Sequence, residues 1–200
     1  MPSDITCEVG ISSLELIPEA IVCDFVTEME SGGISTSSER RPQQIYAGIE
    51  WLLPTAVVVF IAQKYVGTLL QEAAKDHYPT IKAALTKLIR RTTGRSREIF
   101  IRNIASSAHK ISTSEAVVLS VMSPLETGHS VKFILEHHLD GEDIDEAVVS
   151  LFRLLMDHRR DSPNDRLSQI VTDHHLRVYA PVIMRFDASK REWVHWSRPL

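Results

Sequence analysis

Thr55–Ala62, TAVVVFIA, is the run that decides how this chain folds. Five of its eight residues are β-branched, and no polar residue alternates with them. A half-solvated strand alternates apolar and polar side chains. A strand buried on both faces does not, and a parallel sheet covered by helices is built from such strands. The run also raises a membrane question. With Trp51–Pro54 it makes twelve mostly apolar residues before Gln63 and Lys64. A helical span needs about 20, so the reading is an interior strand and membrane contact is disfavoured.

Outward from this strand, the apolar period changes to that of helices. Upstream, residues 5–11 (ITCEVGI) form a first strand, and Pro18 opens a helix with Ile21, Val22, Phe25, Val26 and Met29 inward. Gly32 and Gly33 stop it. Residues 34–41 are a weak second strand or a loop, and Pro42 opens a short helix with Ile45, Ile49 and Leu52 as its stripe. Downstream, Lys64–Tyr78 is a helix ended or kinked at Pro79. Another helical set follows, with Ile81, Ala84, Leu85, Leu88 and Ile89 on one face. Strand and helix alternate, which argues for parallel β-α-β units with right-handed crossovers and helices on both faces.

The second half has a different pattern. Residues 97–105 and 115–122 look like strands, and 129–137 alternates with Val131, Phe133 and Leu135 on one face. The last two flank the turn-rich Ser123–His129 as a hairpin. Two helices follow: one after Gly141, carrying Ile144, Ala147, Val148, Leu151, Leu154 and Leu155, and one opened by Ser162–Pro163–Asn164–Asp165. The tail is a hairpin around Asp187–Arg191, in which Trp193 and Trp196 face opposite sides. The fold class is therefore α/β, with α+β as the alternative. A mainly parallel β-α-β core occupies 1–92, and antiparallel hairpins with two helices occupy 97–200. The two join as one integrated domain across TTGRSR (Thr92–Arg97).

The 200 residues carry a net charge of −4, too acidic for a generic polyanion binder. The charge is unevenly spread. Residues 1–50 hold nine acids and two bases, and residues 51–110 hold ten bases and three acids. Lys82, Lys87, Arg90, Arg91, Arg95 and Arg97 form the basic stretch and are the candidate anion- or partner-binding residues. Three readings stand. These bases complement a helix dipole and neutralise the acidic segment of the same fold; they dock an acidic protein surface, such as residues 1–50 of a second copy; or they bind phosphates. Nucleic acid ranks last, because residues 79–99 contain no aromatic side chain past Tyr78 on which bases would stack.

Chemistry-bearing motifs are missing. Cys7 and Cys23 make no CxxC pair and read as buried free thiols. The doublets His137–His138 and His174–His175 have no known metal-ligand spacing, and Asp157–His158 reads as structural. There is no nucleophile elbow, P-loop or dinucleotide fingerprint, so no metal and no cofactor is expected. MPSDITCEVG has no basic or apolar leader region, which with the cysteine usage points to the cytoplasm.

Ala47–Ala73, AGIEWLLPTAVVVFIAQKYVGTLLQEA, resembles a passage of Toll/interleukin-receptor domains: a short helix, an apolar strand, a Tyr-containing helix start, then a glutamate. The resemblance implies NAD processing, with Glu72 at the position of the catalytic glutamate. The family's serine after the strand is Ala62 here, and its Ser-x-Trp-Cys block is missing. The leading expectation is a non-catalytic interaction or regulatory domain, working with a protein partner or as a homo-oligomer. NAD processing through Glu72 and peripheral membrane binding through 51–62 or 80–91 are the alternatives.

Overall fold

The computed structural model describes residues 7–42, 55–70, 77–93, 119–136, 139–177 and 181–196. In chain order the elements are β1 (Val9–Leu14), α1 (Glu19–Ser31), β2 (Thr36–Arg41), β3 (Val57–Ile61), α2 (Gln63–Leu69), α3 (His77–Thr92), β4 (Leu119–Pro124), β5 (Ser130–Leu135), α4 (Gly141–Asp161), α5 (Arg166–Asp173), β6 (Val182–Asp187) and β7 (Glu192–His195). Among these residues the strands make one mixed sheet, ordered β2-β1-β3-β4-β5-β6-β7. The α/β class holds. Parallel neighbours joined through helices occur at β1–β2, β3–β4 and β5–β6, and antiparallel pairs at β1–β3, β4–β5 and β6–β7. The two hairpins of the second half are therefore present, with a parallel pair between them. The strands expected in 5–11 and 115–122 lie a few residues downstream. The expected helix at 42–52 and strand at 97–105 fall outside the described residues.

Register separates the sheet into two faces. Val9 and Ile11 of β1 pair with Ile61 and Val59 of β3, which leads on to Val121 of β4, Phe133 of β5 and Met184 of β6. All belong to the main core. The helices pack on this face as one layer, with α1 against α3, α3 against α4, α4 against α5, and α2 against α4. The expectation of helices on both faces is met on one face only among the described residues. A second, smaller apolar group lies opposite, where Trp196 packs on Ile134 and Ile183. Trp193 faces the other way, into the main core, edge-on to Phe133 and Phe186, and its Nε1–H donates to the Ala147 carbonyl of α4.

Local chemistry sets the helix ends. Pro18 precedes α1, and Gly32 and Gly33 end it, the latter at φ +78°, where a side chain would strain the backbone. Gly32 also lies so close to Thr80 of α3 that a Cβ there would collide with it. Asp140 caps α4 by accepting from the Glu142 and Asp143 N–H groups at 3.1 and 3.0 Å. Pro79 sits in the first turn of α3, where its missing N–H leaves no helical bond unmade. Asp165, not Ser162, caps α5.

Candidate interaction surface

The basic residues on α3 are spent largely within the fold. Lys87 Nζ lies 3.0 Å from Glu28, Arg91 is 2.6 Å from Asp24, and Arg90 is 2.9 Å from Asp145 of α4. Asp24 and Glu28 belong to α1, so the acidic first segment neutralises the basic second one inside one chain. Such exposed pairs stabilise by about 0–1 kcal/mol each; their larger effect is on what the surface presents. Lys82 is half-buried and makes no ion pair among the described residues. Arg95, Arg97 and Glu72 lie outside the described residues.

The structure brings together one constellation that spacing does not suggest. His158 of α4, Asp165 and Ser168 of α5 are buried together, 3%, 8% and 3% exposed. Asp165 Oδ1 accepts from the Leu167 and Ser168 N–H groups at 2.8 and 3.2 Å. Its Oδ2 accepts from Ser168 Oγ at 2.6 Å and from His158 Nδ1 at 2.9 Å. His158 Nε2 receives the Glu126 N–H at 2.9 Å. That backbone donor fixes the tautomer: Nδ1 carries the proton and Nε2 offers its lone pair. Burial pushes the Asp165 carboxyl up, but the Ser168 hydroxyl, His158 and the Ser168 N–H outweigh it and hold the group below the usual carboxylate range. A serine nucleophile needs its proton drawn toward a histidine nitrogen with a free lone pair. Here the serine donates to the aspartate and the histidine lone pair is taken. The trio is a structural clasp joining α4, α5 and the β4–β5 turn, in keeping with the structural reading of Asp157–His158.

The other candidates resolve separately. His137–His138 lies outside the described residues. His174, at the C-terminal cap of α5, packs not with His175 but with His195 of β7, ring centroids 4.2 Å apart. Among the described residues no group of three or more His, Cys, Asp or Glu side chains is placed to hold a metal. Cys23 is exposed on α1 and Cys7 is half-buried, which corrects the expectation that both are buried; the stripe of α1 points Cys23 away from the core. No helix among the described residues is long and apolar enough to cross a membrane, and Val57–Ile61 is a strand.

The sheet face away from the helices carries the features that sequence reading missed. One row across it runs Ser37, Gly10, Phe60, Met122, Lys132, Ile183 and Trp196. Phe60 is 43% exposed, the large apolar side chain most open to solvent among the described residues, although its strand is third of seven. Val58 lies two residues along on the same face. Lys132 is 5% exposed, and burial, with the Arg41 charge adding, lowers its ammonium from 10.5 to about 8. Alternation alone places Lys132 opposite Val131 and Phe133. Only the three-dimensional packing makes it buried.

No family model, curated protein or solved structure matches this chain.

Proposed function

We propose that the chain is a non-catalytic interaction module that associates with a second copy of itself through the sheet face around Phe60. The observation that carries this reading is the exposure of Phe60 on an inner strand, away from the helices. An aromatic ring left in water forgoes part of the about 1.5–3 kcal/mol that burial of such a side chain supplies, and aromatic anchors dominate interface energetics. The patch is self-complementary in outline. Gly10, directly opposite Phe60 in register, leaves a low point beside a high one. A two-fold axis near this pair sets each ring over the other copy's glycine, as an isologous contact requires. The edge offers a poorer route: β2 is TSSERR, polar and charged, which discourages strand addition.

The intrachain pairs of Lys87, Arg90 and Arg91 favour an apolar contact over a charged one. Association is therefore expected to persist between about 0.1 and 1 M salt, where screening suppresses surface ion pairs. Sedimentation velocity across a concentration series tests this. The expected result is a salt-insensitive dimer, converted to monomer by Phe60→Ser with an unchanged circular dichroism spectrum. A monomer at every concentration, or a dimer indifferent to Phe60→Ser, would overturn the reading.

A further inference from the structure

The short helix α5 is held at both ends by histidine side chains, and the attachment at its C-terminal end is the one that charge weakens. At its N-terminus, His158 joins the Asp165 cap to the Glu126 N–H, using Nε2 as an acceptor. The bond that holds α5 here, from Nδ1–H to the Asp165 carboxylate, is kept in either charge state of the ring. At its C-terminus, the ring of His174 lies against that of His195 on β7, 4.2 Å between centroids and tilted by 42°. Two imidazolium ions at that separation repel. A third attachment is indifferent to charge. His129 donates from Nε2 to the Leu176 carbonyl, 3.2 Å away, and its Nδ1 can accept from the Thr127 hydroxyl or donate to the Thr127 carbonyl, each at 3.2 Å.

From this arrangement we infer that α5 is an acid-released segment, with the His174–His195 pair as its trigger. The surrounding charges leave the trigger exposed to pH. Asp173, His175 and Arg177 flank His174 along the chain. The nearest ion pair between these elements, Arg166 with Glu192 at 3.6 Å, spends its acid on its own base. Met184 of β6, paired with His195, contributes no charge. Around His158 the acid is Asp165, whose four acceptor positions are already filled, and the neighbouring Arg159 is paired to Glu126. Burial, with the facing His174 adding, holds His195 below its ordinary range. With the folded His195 held low, stability is full above the unfolded histidine range and declines as pH falls through that range toward the lowered folded value. Release would uncover the apolar stripe Leu167, Ile170 and Val171.

Hydrogen–deuterium exchange on the full chain, corrected for intrinsic rates, tests this at about pH 7.5 and about pH 5.5, on either side of ordinary histidine titration. The expected result is a several-fold loss of protection in residues 166–176 at the lower pH, with α3 unaffected. His195→Phe keeps a ring in place without a titrating nitrogen and should abolish that response while leaving protection at neutral pH intact. Should that variant fail to fold, His174→Phe removes the same charge pair from the other side. Protection of 166–176 that does not change with pH, or that falls equally in the folded phenylalanine variant, would overturn the inference.

Discussion

Replacing Lys132 with methionine removes a charge that the fold holds at a disadvantage, and the consequence is a specific change in pH dependence. In the unfolded chain the ammonium titrates near 10.5; in the folded chain, buried between Met122 and Ile183, it titrates at about 8. The folded form thus gives up its proton first. Below about pH 8 both forms are charged and the fold bears the whole penalty, whereas between about 8 and 10.5 the penalty fades and stability rises with pH. At about 1.4 kcal/mol per pKa unit the full penalty is about 3 kcal/mol, and about 2 kcal/mol of it is recovered between pH 7 and 9.5. The upper limit of the window comes from Tyr65. Burial, with Glu8 adding, pushes its phenol up, so the unfolded chain ionises first near pH 10 and stability falls again. Urea unfolding of wild type and Lys132→Met at closely spaced pH values reads the difference. Wild type should gain about 2 kcal/mol across the window relative to the variant. Parallel profiles would refute the placement of this lysine.

Other expectations follow from the same packing. Asp165→Ala removes a helix cap and leaves the His158 Nδ1–H and Ser168 hydroxyl without their acceptor, a loss of about 3 kcal/mol in urea unfolding; a loss under about 1 kcal/mol would argue against the clasp. Because the Asp165 carboxyl is held low in the fold, its contribution is complete above the ordinary aspartate range near 4 and disappears as pH falls through the lowered value, so the variant should lack part of the wild-type acid limb. Trp193→Phe keeps a ring against Phe133 but loses the bond to the Ala147 carbonyl and some volume, for about 1–3 kcal/mol by thermal unfolding. Gly32→Ala drives a methyl into Thr80 and should destabilise by about 1–3 kcal/mol; a raised melting temperature would mean that α1 and α3 yield without strain. Arg90→Ala, at a half-exposed ion pair, should change stability by less than about 1 kcal/mol.

Much of the architecture could be read from local pattern. A valine-rich octet with no polar alternation has few homes besides a sheet interior, and β3 is there. Pro18 with Gly32–Gly33 brackets α1 because those residues restrict or free the backbone whatever surrounds them. The alternation of Val131, Phe133 and Leu135, and the opposed faces of Trp193 and Trp196, follow from the two-residue period of a strand and hold in the fold. Local pattern carries no information about which strand lies next to which. The antiparallel β1–β3 pair and the parallel β5–β6 pair join strands far apart along the chain, and no residue type encodes that.

The candidate sites divide along the same line. The run of bases from Lys82 to Arg91 is a property of composition, visible without coordinates. Its neutralisation by Asp24, Glu28 and Asp145 is a property of helix packing, which brings residues more than fifty positions apart within hydrogen-bonding distance. The meeting of His158 with Asp165 and Ser168, the contact of His174 with His195 rather than with its own neighbour, the burial of Lys132 and the exposure of Phe60 are all decided at that level. Periodicity assigns a side chain to one side of its own element. Whether another element, a few water molecules or bulk solvent lies on that side depends on the distant chain, and the desolvation and pairing that give a group its chemistry depend on it too.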